Sequence, residues 1–101
     1  MNIITRNTLL AYCRKYVNAE EALLTWYSTA QKSEWGNFNE VKSSFPSADH
    51  VGDDRMVFNI KSNRYRLVVR FSFTYKAIQI KWFGTHAEYD KIDVKTVQPD
   101  I

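Results

Sequence analysis

The chain has 101 residues, 45 % of them hydrophobic and 15 % aromatic, which makes one domain with a core of its own and excludes a disordered tail. The formal net charge of +3 permits an RNA or an acidic protein as partner without demanding either. The position of the charge is therefore more informative than its sum.

Met1 to Ile4 is short and β-branched at Ile3-Ile4, which fits an edge strand added to a larger sheet. Thr5 or Asn7 can cap a helix running to about Tyr16, because Leu9, Leu10, Tyr12, Cys13, Tyr16 and Val17 form one apolar stripe. Asn18, followed three residues later by Glu21, reads as the start of a second helix. That helix buries Leu23, Trp26 or Tyr27, Ala30 and Leu24, and ends between Lys32 and Trp35, with Gly36 placed for a left-handed cap. Asn37 and Glu40 repeat the capping pattern and begin a short helix to about Ser44. Phe45-Pro46 forces an extended conformation, and Ser47 to Arg55 is a loop or a short edge strand.

Met56 to Lys91 organises the rest. Tyr65, Leu67, Val69, Phe71 and Phe73 fall on one parity, while Arg64, Arg66, Arg70, Ser72 and Thr74 fall on the other. Side chains alternate faces along a strand, so one face is apolar and the other basic. A turn at Ser62-Asn63 pairs Ile60 with Tyr65, Asn59 with Arg66 and Phe58 with Leu67. A second turn at Tyr75-Lys76 pairs Phe71 with Ile80, Arg70 with Lys81, Val69 with Trp82 and Arg66 with Thr85. Both hairpins then set apolar against apolar, with Trp82 on the core parity and Phe83 on the outer one. Thr85 and Glu88 form a capping box for one helical turn, and the tail from Asp93 to Ile101 is expected to fray. The predicted fold class is α+β, a helical hairpin packed on one face of a small antiparallel sheet.

The same register puts Arg70 against Lys81 and Lys61 against Arg64, with Arg66 between them. Like charges directly opposite one another cost roughly 0.2–1 kcal/mol per pair, so a row that accepts the cost is a candidate polyanion site. Lys76, in the second turn, joins the candidate RNA-binding cations.

Several chemistries are excluded. Three glycines in the whole chain make no nucleotide-binding loop, and no pair of carboxylates stands among the convergent polar groups. The lone Cys13 sits on an apolar stripe as a small core residue, and His50 and His86 lack the spacing of metal ligands. No structural metal and no cofactor is expected. No apolar run approaches membrane-spanning length and the N-terminus carries no secretory pattern, so the expected location is the cytoplasm. Cutting RNA asks little of a protein by comparison, because the ribose 2′-OH is already in the substrate. The protein must align it, neutralise the phosphate and move protons. Arg66, Arg70, Lys61 and Lys81 suit the charge role, and His86, Tyr89 and Asp90 are the groups that can shuttle or orient protons. Tyr89, or more weakly Trp82 or Phe83, can stack on an unstacked base.

The segments Val57-Phe58-Asn59-Ile60, Asn63-Arg64-Tyr65-Arg66-Leu67-Val68-Val69 and Gly84-Thr85-His86-Ala87-Glu88-Tyr89-Asp90-Lys91 resemble the HigB branch of type II toxin–antitoxin toxins, in the RelE-like superfamily. Phe45-Pro46-Ser47-Ala48 and the Met1-Asn2-Ile3-Ile4 opening share the likeness, which runs from Met1 to about Val97. The resemblance implies a cytoplasmic, ribosome-dependent mRNA endonuclease inhibited by a cognate helix-turn-helix antitoxin of the HigA type; with the 2′-OH as nucleophile, the cut is expected to need no metal. On the branch's motifs it implies Asn59, Arg66, His86, Tyr89 and Asp90 as site residues, with Asn59 on the RNA and the other four catalytic. Lys61, Arg64, Arg70, Lys76 and Lys81 enter from the register alone. The superfamily also contains gyrase-poisoning relatives that do not cut RNA, and fold alone does not separate the activities. The alternatives are thus a non-catalytic inhibitor of a target such as DNA gyrase, or a plain RNA-binding module. The His-x-x-Tyr-Asp segment beside the cations favours the nuclease.

Overall fold

In the computed structural model, which covers residues 1–101, five strands form one sheet: β1 (Asn2–Ile3), β2 (Asp49–Val51), β3 (Arg55–Ile60), β4 (Tyr65–Ser72) and β5 (Ala77–Thr85). Their spatial order is β1-β5-β4-β3-β2, antiparallel except for β1, which runs parallel to β5. Helices α1 (Arg6–Lys15), α2 (Glu20–Lys32) and α3 (Phe38–Ser44) cover one face, and a single turn, α4 (His86–Tyr89), follows β5. The α+β architecture is the expected one.

The helices form where apolar stripes meet the sheet. Leu9, Tyr12 and Cys13 of α1, Leu23, Trp26 and Ala30 of α2 and Val41 of α3 are buried in one core with Phe58, Leu67, Phe71, Ile80 and Phe83, whereas Leu24, one residue past Leu23 on the helix, is turned out to solvent. Asn37 caps α3 as expected, its side chain accepting from the Glu40 N–H at 2.9 Å. Three other caps differ. Thr5 precedes α1, but its hydroxyl accepts from the Ile80 N–H at 2.6 Å rather than from the helix. Asn18 lies in a 3₁₀ turn (Val17–Ala19), and Ala19 precedes α2 without a side-chain cap. Gly36 does not end α2; the chain leaves it extended at Ser33. The Met1 ammonium donates to the carbonyls of Ala30 and Gln31 at 3.3 and 3.4 Å, satisfying groups that a left-handed cap would otherwise serve.

The first hairpin has the register read from the sequence: Ile60 opposite Tyr65, Asn59 opposite Arg66 and Phe58 opposite Leu67. The second does not. Its turn closes through Lys76 N–H donating to Phe73 C=O at 3.4 Å, so it centres on Thr74-Tyr75. Phe71 therefore faces Ile78, and Arg70 faces Gln79 rather than Lys81. A slip of two residues preserves parity, so apolar still meets apolar and alternation is blind to it. Farther along, Val69 faces Ile80 and Val68 faces Trp82, which leaves Lys81 as the extra residue of a β-bulge. The bulge exchanges the faces beyond it. Phe83 enters the main core, and Trp82 turns to the opposite side.

That exchange reshapes the outer face. Val57, Val68 and Trp82 form a second, smaller core, covered by Tyr89, Ile92, Val94 and Val97. The tail does not fray, because an outward indole needs cover from water. Arg55, only 2 % exposed, fastens it by donating to the carbonyls of Val94 at 3.1 Å and Val97 at 2.7 Å and to Asp53 at 3.2 Å. Farther on, the Tyr12 hydroxyl donates to the Asp100 carboxylate at 2.7 Å.

Candidate active site

With its centre covered, the outer face offers polar groups at its two ends. At the end beside the β3–β4 turn, Arg66 stands opposite Asn59 on one side and Gly84 on the other. Its guanidinium donates to the carbonyls of Asn63 and Tyr65 at 3.2 Å each and to Asn63 Oδ1 at 2.7 Å. These bonds fix the fork before any anion arrives, which suits bidentate recognition of a phosphate.

α4 starts at the same end, because Thr85 lies opposite Tyr65. The capping box is complete: Glu88 N–H donates to Thr85 Oγ1 at 3.1 Å, and Thr85 N–H donates to Glu88 Oε1 at 2.8 Å. The His86 N–H donates to the Arg64 carbonyl at 2.9 Å, tying the turn to the neighbouring strand connection. One helical turn then puts His86 Nδ1 at 3.4 Å from Asp90 Oδ2, both side chains about half exposed. At that length the carboxylate orients the ring more than it binds it.

Tyr89 leans on Trp82 with ring centroids 6.4 Å apart. Burial pushes its hydroxyl above the usual tyrosine value, Arg66 pulls it back, and Asp49 and Asp90 push it further up. Arg66, Asp49 and Asp90 thus all lie within electrostatic reach of this hydroxyl. Asp49 was not among the residues expected here. Its strand, β2, sets it opposite Val57 on the outer face, and only that register reveals it.

The expected continuous row of cations is absent. Arg70 lies opposite Arg55 and is held by Asp53 at 3.5 Å and Asp54 at 3.7 Å, beyond the covered centre. Lys81, in the bulge, donates to Gln98 at 3.4 Å, and its pKa is lowered by burial first and by Arg55 and Arg70 after it. Lys61 follows Ile60 and would face outward in an extended strand. Its φ of 53° turns it to the helical layer, where it donates to the Asn18 carbonyl at 2.7 Å. Arg64 is exposed at the same turn, next to α4. Lys76 is at the far end of the sheet, one β4 length away (roughly 25 Å at about 3.3 Å per residue), where it donates to the Trp35 carbonyl at 3.2 Å. Arg66, His86, Tyr89, Asp90 and Asn59 come together with Arg64 near them; Lys61, Arg70, Lys76 and Lys81 stand apart. Nowhere do three or more His, Cys, Asp or Glu side chains gather as a metal site would require.

A helical hairpin on one face of a mainly antiparallel five-stranded sheet is a RelE-like fold. The sequence profile described as HigB toxin, the RelE-like toxic component of a toxin–antitoxin system, matches residues 19–92, and the chain belongs to that family. It is 28 % identical over 94 residues, 91 % of each chain, to a protein named mRNA interferase HigB from Escherichia coli O6:H1. Membership makes this chain the toxic partner of a pair, with an antitoxin as its counterpart.

Proposed function

We propose that this toxin is an mRNA interferase: a cytoplasmic, ribosome-dependent RNA endonuclease that uses the 2′-OH of its substrate as nucleophile and needs no metal ion. The observation that carries the reading is the convergence of Arg66, Tyr89 and the His86–Asp90 pair at one open end of the sheet. The similarity to a protein named mRNA interferase supports it. The imidazole of histidine is the side chain suited to carry a proton near neutrality, and Asp90 orients it. His86 takes the 2′-OH proton, and the oxygen attacks the adjacent phosphorus. Arg66 neutralises the charge that builds on the non-bridging oxygens. Tyr89, a neutral phenol at physiological pH, donates to the phosphoryl or the departing 5′-oxygen. The 5′-oxygen leaves with a proton, and the upstream fragment ends in a 2′,3′-cyclic phosphate. Asn59 and Arg64 hold the RNA beside this centre; Lys61, Arg70, Lys76 and Lys81 meet mRNA or ribosomal RNA farther out. The counterpart is a helix-turn-helix antitoxin of the HigA type.

Primer extension on cellular mRNA after brief induction tests the reading. Discrete cuts within translated messages are expected, with cyclic or 3′-phosphate ends on the fragments. Purified toxin should keep its chemical step in chelator, once the magnesium that ribosomes require is controlled for. Growth arrest with intact messages would overturn the proposal and point to another target, such as gyrase.

A further inference from the structure

α4 carries His86 and Tyr89 on only four residues. A single turn has little stability of its own, because nucleation fixes several residues for one hydrogen bond. Its order must come from contacts outside it. The capping box supplies one, through Glu88 Oε1 and the Thr85 N–H at 2.8 Å. The same Oε1 accepts a second bond, at 2.8 Å, from the hydroxyl of Tyr16. Tyr16 belongs to the other layer, at the C-terminal end of α1. Its ring packs edge-on against the stacked pair of Tyr65 and Phe83, with centroids 5.8 and 5.5 Å away, and Lys15 Nζ lies 5.3 Å from the ring centre. An aromatic strut therefore runs from the packed core to the carboxylate that caps α4. Both groups hold the protonation state the bond needs. Burial and Glu88 push the Tyr16 hydroxyl up, while the Thr85 N–H, helped by Tyr16, holds the Glu88 carboxyl below its usual range.

We propose that Tyr16 is a positioning residue of the active site, setting through Glu88 the orientation of α4 and so of His86 and Tyr89. The inference rests on the nuclease reading of that site. Tyr16 touches no reacting atom. The strut is needed because a misplacement of about 1 Å at a reacting group costs on the order of a hundredfold in rate. The Tyr16–Glu88 bond lies at the exposed rim, so its loss should be felt locally rather than in global stability.

The test is single-turnover cleavage of ribosome-bound message, with substrate affinity measured separately. Tyr16→Phe keeps the ring and removes the hydroxyl. It should lower the rate about 10- to 100-fold, leave KM and the melting temperature near wild type, and speed hydrogen exchange at the Thr85 and His86 amides. Glu88→Gln keeps an acceptor oxygen and should retain most activity, whereas Glu88→Ala should fall as Tyr16→Phe does. The double variant Tyr16→Phe/Glu88→Ala should be no slower than Glu88→Ala alone. A wild-type rate in Tyr16→Phe, a loss confined to KM, or full additivity in the double variant would overturn the inference. Should Tyr16→Phe not fold, the contrast between Glu88→Gln and Glu88→Ala decides, and equal rates there sink the idea. A wild-type protein that cuts no RNA defeats the nuclease reading alone. The strut is then judged by amide exchange, and unchanged exchange in Tyr16→Phe overturns it.

Discussion

Trp82 lays its indole over the α-carbon of Gly84, so that a methyl group added there would come within 2.5 Å of Cη2 and 2.6 Å of Cζ2. No glycine in the chain has a positive φ, so space rather than backbone freedom requires glycine at this position. Gly84→Ala should push the indole aside and cost about 1–3 kcal/mol as an overpacked site. Because Tyr89 rests on that indole, activity should fall as well. Urea unfolding checks the first part, and an unchanged midpoint would show that the ring has room to move.

Arg55 is the fastening of the tail. Arg55→Met keeps the apolar stem and removes the donors, leaving the carbonyls of Val94 and Val97 and the carboxylate of Asp53 without their partner. Charge-assisted hydrogen bonds of this kind contribute about 1.5–3 kcal/mol, and a loss of about 3 kcal/mol is expected in all. Residues after Asp90 should become accessible to protease before the sheet unfolds. Cleavage of the tail no faster than in wild type would show that the apolar contacts of Ile92, Val94 and Val97 suffice.

Stability should bend at both ends of the pH scale. The Tyr12 and Tyr16 hydroxyls are pushed above the usual tyrosine value, chiefly by burial and then by donating to Asp100 and Glu88. A pKa raised on folding adds stability that is complete below the unfolded value, about 10 for tyrosine, and is lost as pH climbs through the folded one. Melting temperature should therefore drop above about pH 10, and less steeply in Tyr12→Phe. Glu88 behaves in the opposite sense. Its carboxyl is held low, first by the Thr85 N–H, so its contribution is present above the unfolded value of about 4.3 and lost as pH falls through the folded one. Glu88→Gln should flatten that acid limb and weaken the Tyr16 share of the alkaline one, while the Tyr12 share stays in place.

What the sequence made legible was local. Alternation found the strands and the first hairpin, and the caps at Asn37 and Thr85 were readable because two residues three positions apart suffice to write them. The second hairpin was not, since a two-residue slip keeps every parity and the bulge at Lys81 carries no glycine or other mark. One error then produced others. With Trp82 and Phe83 exchanged, the outer face looked open and cationic, whereas Trp82 recruits the tail across it. The Arg66 end survived because the expected pairing with Thr85 missed by a single residue: Arg66 faces Gly84, and Thr85 faces Tyr65. Lys61 was misplaced by a left-handed backbone that no pattern of polarity encodes, and Asp49 was missed for want of a register in its loop.

The sharpest prediction concerns α4. Tyr89→Phe keeps the ring on Trp82 and removes only the hydroxyl, so the fold should hold while the proton donor is gone. His86→Ala removes the imidazole yet leaves the backbone bond from residue 86 to Arg64. Loss of a general acid or base typically costs 10²–10⁴-fold, and a loss of about that size is expected for each. Arg66→Ala should cost about 10²–10³-fold through the phosphate charge, with a modest loss of stability because its partners are the carbonyls of its own turn and Asn63. Lys76→Ala, at the far end of the sheet, is the matched control and should leave the chemical step nearly unchanged. The measurement pairs cleavage rate with a melting curve for every variant. If His86→Ala and Tyr89→Phe lose activity and melting temperature together, the turn is only a structural cap on the end of the sheet. If both stay stable and Tyr89→Phe alone cuts normally, its ring stacks on a base and the hydroxyl carries no proton. A rate loss in all three site variants, with melting curves near wild type, is what a working arginine, imidazole and phenol at one open end of the sheet require.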